Sequence, residues 1–153
     1  MRLLIVFDTY RGHTRRVMRA LAEALPGAQV CDLRRMEPVS PVDFDRIILG
    51  GPVYLGKLTR RLSEYMRQYG EVLVKRELGI FLSCLLLDSA ARQMQETFPP
   101  AIFAAAQCRA FIGGRLDSPV GRVVAKLVDD EPLVTEEIAR ASLQQLIDFG
   151  GKP

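Results

Sequence analysis

Residues 9–14 read Thr-Tyr-Arg-Gly-His-Thr, and their types and spacing are those of an anion site. Thr9 and Thr14 carry hydroxyl donors. Gly12 lets backbone N–H groups come close to a ligand, and an amphipathic helical pattern begins directly behind it. A helix start adds partial positive charge, so the segment is built as a phosphate cradle. A capped helix start without ligand is the other reading of the same hydroxyls. Arg11 and His13, the only histidine, place two basic side chains in the same loop.

A second stretch, residues 50–58, reads Gly-Gly-Pro-Val-Tyr-Leu-Gly-Lys-Leu. Gly51, Gly56 and Lys57 satisfy the spacing of a nucleotide-triphosphatase loop, but Leu58 stands where that loop needs a magnesium-binding Ser or Thr. A better account is a flat apolar surface of Val53, Tyr54 and Leu55 facing a planar aromatic ligand, with an ordinary half-buried tyrosine as the alternative. A third stretch, from Ser83 and Cys84 to Asp88, has polar atoms able to meet the edge of a ring. Cys84 reads either as a redox thiol or as an inert strand cysteine. No side chain stands out as a catalytic acid or base. One histidine and three widely spaced cysteines (Cys31, Cys84, Cys108) argue against a metal centre and a disulfide framework.

The elements that would position these stretches alternate. Residues 3–7 are a continuous apolar run too short for a helix, hence a buried strand. From Thr14 the period changes, with Val17, Leu21 and Leu25 on one helical face up to Pro26-Gly27. Further strands are expected at 28–33, at 46–51, within 79–87 and at 108–114. Helices are expected from Thr59, over 89–107 with a break at Pro99-Pro100, and over 135–149. Strands this uniformly apolar are buried on both faces. The expectation is an α/β fold, one domain over residues 1–153, with a doubly wound five-stranded parallel sheet in the order 2-1-3-4-5 and helices on both faces. In that topology a ligand sits outside the C-terminal strand ends, at the switch between strands 1 and 3. All three stretches fall there.

Composition sets the outer bounds. With 48% apolar and 25% charged residues the chain is globular rather than disordered. No apolar run is long enough to span a bilayer, and the short N-terminal run reaches Asp8 too soon for a signal peptide, so a cytoplasmic location is expected. The net charge of +3, with arginine pairs at Arg15-Arg16, Arg34-Arg35 and Arg60-Arg61, favours an anionic small molecule, an acidic partner or an anionic membrane surface. Solvated helix faces explain the same pairs. No basic stripe with interleaved aromatics is present, so nucleic acid is not expected.

A phosphate cradle facing an aromatic wall at one switch point describes a site for flavin mononucleotide (FMN). A phospho-receiver would need an aspartate ending strand 3, where Gly50-Gly51-Pro52 stands. A dinucleotide site would need G-x-G-x-x-G, and only Gly12 is present.

On these residues the chain resembles the flavodoxin superfamily, whose phosphate loop has the form (S/T)-x-T-G-x-T. Thr9, Gly12 and Thr14 match, and Arg11 replaces the central threonine. Residues 45–66, 80–88 and 110–117 are similar to the group containing menaquinone-dependent protoporphyrinogen dehydrogenase. The resemblance implies that Thr9, Tyr10, Arg11, Gly12, His13 and Thr14 hold FMN phosphate. It places Pro52, Val53, Tyr54, Leu55, Gly56 and Lys57 at the ring, and Ser83, Cys84, Leu85 and Asp88 at the ring edge. The flavin would carry the redox chemistry. Electron-carrier flavodoxins are acidic and stack a tryptophan on the ring, whereas this chain carries +3 and has no Trp. The expected function is therefore an FMN-binding redox protein linked to quinone or a partner protein, working in the cytoplasm or at the membrane periphery. The alternatives are a non-catalytic electron carrier and a scaffold that has lost flavin. In residues 118–132, Val120, Val123, Val124, Leu127 and Val128 form one helical face, for core packing or for docking.

Overall fold

The structure is a computed structural model and describes residues 1–10, 13–54, 56–84, 87–113 and 136–153, the side chains of residues 87, 88 and 136–138 excepted. Strand β1 (Leu3–Phe7) is buried at every position. Its side chains alternate between two layers: Leu4 and Val6 enter one core, while Leu3, Ile5 and Phe7 enter the other. Strands β2 (Gln29–Asp32), β3 (Arg46–Tyr54), β5 (Glu77–Cys84) and β6 (Cys108–Gly113) complete a parallel sheet ordered β2-β1-β3-β5-β6. A short β4 (Lys57–Leu58) pairs antiparallel with β3 off this path. The five parallel strands thus have the expected 2-1-3-4-5 order, with one hairpin strand added.

Helices α1 (His13–Ala24) and α5 (Glu136–Gly150) cover one face. There Met18, Leu21, Leu146 and Phe149 pack on Ile5, Phe7, Ile48 and Phe81. Helices α2 (Arg60–Leu73), α3 (Leu87–Thr97) and α4 (Pro100–Ala105) cover the other, where Leu62, Met66, Met94 and Ile102 meet Leu4, Leu49 and Ile80. The expected break at Pro99-Pro100 separates α3 from α4. Thr59 is the N-cap of α2, its side chain accepting from Leu62 N at 3.4 Å.

The third strand differs from expectation. It does not stop at Gly51 but continues to Tyr54 and folds back through Gly56, whose φ of 76° suits glycine in a tight turn. Gly50 is a close-packing residue rather than a terminator, since a Cβ there would lie 2.1 Å from the Phe81 carbonyl oxygen. Pro52 pairs with Ser83 beyond the last β1 partner, so only one ladder accommodates a residue without an N–H. The apolar face expected over residues 118–132 lies outside the described residues. Among the described residues, no helix is long and apolar enough to cross a membrane.

Candidate functional site

The topology reverses between β1 and β3, and the C-terminal ends of these strands are where doubly wound sheets take their ligands. Beyond Phe7 come Asp8 and Thr9, both buried, then Tyr10, which is 57% exposed. Thr14 is buried in the first turn of α1. Thr9 and Thr14 therefore flank the loop from inside the fold, as a cradle requires. Arg11 and Gly12 lie outside the described residues. The Thr9 N–H already donates to Asp8 Oδ1 at 2.9 Å, which leaves the cradle's backbone donors to the later residues of the loop.

Asp8 is the feature the sequence reading overlooked. A wholly buried carboxylate beside a phosphate site would repel the ligand, and it needs a counter-ion to be tolerated at all. Arg34 supplies one from the turn after β2, with Nε at 3.1 Å from Asp8 Oδ1 and Nη2 at 3.0 Å from Oδ2. This two-pronged pair neutralises Asp8 and fixes the plane of the guanidinium. The same guanidinium lies over the Tyr10 ring, 4.2 Å from its centroid. Tyr10 in turn touches Tyr54, with centroids 5.1 Å apart and planes tilted by 59°. One continuous stack thus joins the first loop to the end of β3. The available signal was an aspartate ending an apolar strand and an arginine pair ending the next one.

Of the other expected ring residues, Pro52 is buried and Val53 and Tyr54 are half-buried on β3. The β3–β4 hairpin sets Tyr54 opposite Lys57, while Gly56 and Lys57 are exposed. Leu55 and Leu85 lie outside the described residues, and Asp88 is described only as a backbone position in α3. Ser83 and Cys84 are buried at the end of β5. Burial pushes the Cys84 thiol up to about 12, so it stays protonated at neutral pH and is a poor nucleophile. His13 donates from Nε2 to the carbonyl of Gly113 at the end of β6. A carbonyl only accepts, so the imidazole carries its proton on Nε2, and Nδ1 alone remains for another partner. No group of three or more metal-ligating side chains forms among the described residues.

A doubly wound sheet with hydroxyl, aromatic and basic groups gathered at the β1/β3 switch defines a flavodoxin-like fold. Residues 4–128 match the family model described as flavodoxin domain, and the chain belongs to that family. Oxidised flavodoxin 1 from Bacillus cereus is 16% identical over 97% of each chain, with a TM-score of 0.59. A flavodoxin, WrbA-like protein from Agrobacterium tumefaciens is 15% identical over 97% of this chain and 92% of its own, with a TM-score of 0.61. An NADH:FMN oxidoreductase in its apo form is 8% identical over 100% and 92%, with a TM-score of 0.63. At these identities the likeness is one of fold. No curated protein matches the chain.

Proposed function

We propose that this chain binds FMN at the β1/β3 switch and serves as a redox protein passing electrons to a quinone or a partner protein. The observation that supports this most is the meeting of two groups at one switch point: the buried hydroxyl residues Thr9 and Thr14, and the Tyr10–Tyr54 ring pair. FMN has the matching parts, an anionic phosphate and a planar ring. The solved flavoproteins that share the fold favour the same ligand.

The residues fit such a ligand. Thr9, Arg11, Gly12 and Thr14 would hold the phosphate at the start of α1, with His13 contributing through its backbone N–H. Neutralisation of Asp8 by Arg34 offsets a buried negative charge that would oppose it. Val53, Tyr54, Leu55 and the hairpin residues Pro52, Gly56 and Lys57 would face the ring. Ser83, Cys84, Leu85 and Asp88 would line its edge. The Tyr10–Tyr54 spacing is that of touching rings, and a flat ligand between them needs roughly 7 Å, two contact distances. Tyr10 must therefore swing aside for Tyr54 to meet the ring face. When bound, the flavin supplies one- or two-electron chemistry; the protein orients it, covers it and sets its surroundings.

The resemblance to the menaquinone-dependent protoporphyrinogen dehydrogenase group supports a quinone-linked role in the cytoplasm or at the membrane periphery. Titration of the purified chain with FMN, followed by flavin fluorescence, tests the reading. Quenching is expected to saturate at one equivalent. In Thr14→Ala the affinity is expected to fall about tenfold, about 1.4 kcal/mol. An unchanged fluorescence at micromolar FMN would leave residues 9–14 as a capped helix start and refute the proposal.

A further inference from the structure

The three arginine pairs are far apart in sequence, yet all lie at the C-terminal end of the sheet. Arg15-Arg16 begin α1, Arg34-Arg35 follow β2, and Arg60-Arg61 begin α2. Contacts confirm their convergence on the end of β2. Arg15 Nε lies 2.7 Å from Asp32 Oδ2 and Arg35 Nε 4.0 Å from the same oxygen. Arg61 Nη1 donates to the Leu33 carbonyl at 3.2 Å.

Their placement opposes local helix energetics. Neither α1 nor α2 has an acidic residue in its first turn, where the helix dipole favours one, and neither has a basic residue in its last. Cations at a helix start cost stability, typically ~0.3–1 kcal/mol each. Arg15 and Arg61 have internal partners in Asp32 and the Leu33 carbonyl, and Arg60 has Glu64 one turn on, but Arg16, Arg35 and Arg60 keep guanidinium donors in solvent, where an external anion can reach them. Among the described residues, the carboxylates in contact with the pairs are Asp8, Asp32 and Glu64, three against six. Arg16, Arg35 and Arg60 are exposed, the last with 88% of its side chain accessible. Beside them stand two large apolar side chains left in solvent, Tyr10 at 57% and Met36 at 43%.

From this arrangement we infer that the rim around the β1/β3 switch is a docking surface for a carboxylate-rich face of a partner protein. Arginine, tyrosine and methionine are the residue types enriched at protein interfaces, and arginine's planar fork matches carboxylates. The chain uses 17 arginines against four lysines, where a surface built only for general attraction would need no such bias. The purpose of docking, delivering a partner to the mouth of the site, rests on the flavin reading; the binding itself does not.

The test measures binding of the full chain to an acidic plant-type ferredoxin as probe, and to phosphatidylglycerol vesicles, at about 20 and 200 mM salt. Expected is ferredoxin binding that weakens about tenfold or more at the higher salt. It should disappear in Arg16→Glu/Arg35→Glu/Arg60→Glu and persist in the charge-matched Arg19→Glu/Arg67→Glu/Lys75→Glu. Circular dichroism establishes that both variants fold. Binding to the vesicles as tight as to ferredoxin, equal loss in both variants, or no ferredoxin binding at the lower salt would each overturn the inference. FMN titration of the same samples reports separately on the flavin reading.

Discussion

The two ends of the sheet use arginine in opposite ways. At the N-terminal strand ends, arginines act as staples. Arg46 is 1% exposed at the side chain, holds Glu77 at 2.6 Å and donates to the carbonyls of Gly150 at 3.2 Å and Lys152 at 2.8 Å. Arg76 donates to the Phe44 and Val42 carbonyls, and Arg2 to that of Asp43. At the C-terminal ends, arginines stand in pairs with fewer carboxylates than cations. One residue type therefore closes the fold at one end and charges the β1/β3 switch at the other. What separates the two uses is burial: Arg46 is enclosed by its partners, whereas Arg16, Arg35 and Arg60 are left facing water.

Five substitutions sharpen this contrast. Arg46→Ala should have the largest effect, a loss of about 4 kcal/mol in denaturant unfolding, because it strands two carbonyls and empties a buried site. FMN affinity of the folded fraction should stay within about twofold, since the site lies at the other end. If flavin binding collapsed instead, the two ends would not be independent. Arg34→Ala is expected to cost about 3 kcal/mol by leaving Asp8 buried without its counter-ion. Adding Asp8→Asn should restore part of that loss; additivity of the two in a double-mutant cycle would mean that the pair does not couple. The smallest effect concerns the rings. Tyr54→Ala should weaken FMN about fivefold, about 1 kcal/mol of lost ring contact. Tyr10→Ala, which frees Tyr54, should leave binding unchanged or tighter. Equal weakening in both would show that Tyr10 holds the ring instead of yielding to it.

Much of this architecture was legible in the chain. Residues 3–7 and the apolar runs in β3 and β5 have no polar face, so only a sheet covered on both sides accommodates them, and that fixed the class of fold. Pro99-Pro100 marked the helix break because neither proline can donate within a helix. The extent of β3 was not legible. Gly50-Gly51-Pro52 reads locally as a terminator, while its real cause is the approach of Phe81 from the neighbouring strand. The site divides in the same way. The proposed cradle rests on Thr9, Gly12 and Thr14, whose spacing is local and so can be read from the chain. Asp8 and Arg34 meet across 26 residues, and the meeting of Tyr10 with Tyr54 depends on a hairpin hidden by those glycines.

The hydrogen bond from His13 to Gly113 joins residues 100 positions apart, the first turn of α1 and the last residue of β6. In folding terms it is a contact of very high sequence separation, and such contacts form only after long stretches of chain have been ordered. The first turn of α1 is close to β1 in the chain yet is tied down only when β6 has joined the sheet. Its finished geometry belongs to the whole native state and not to the N-terminal βα unit. A ligand seated there binds that state alone, and its occupancy raises the stability of the entire sheet by mass action.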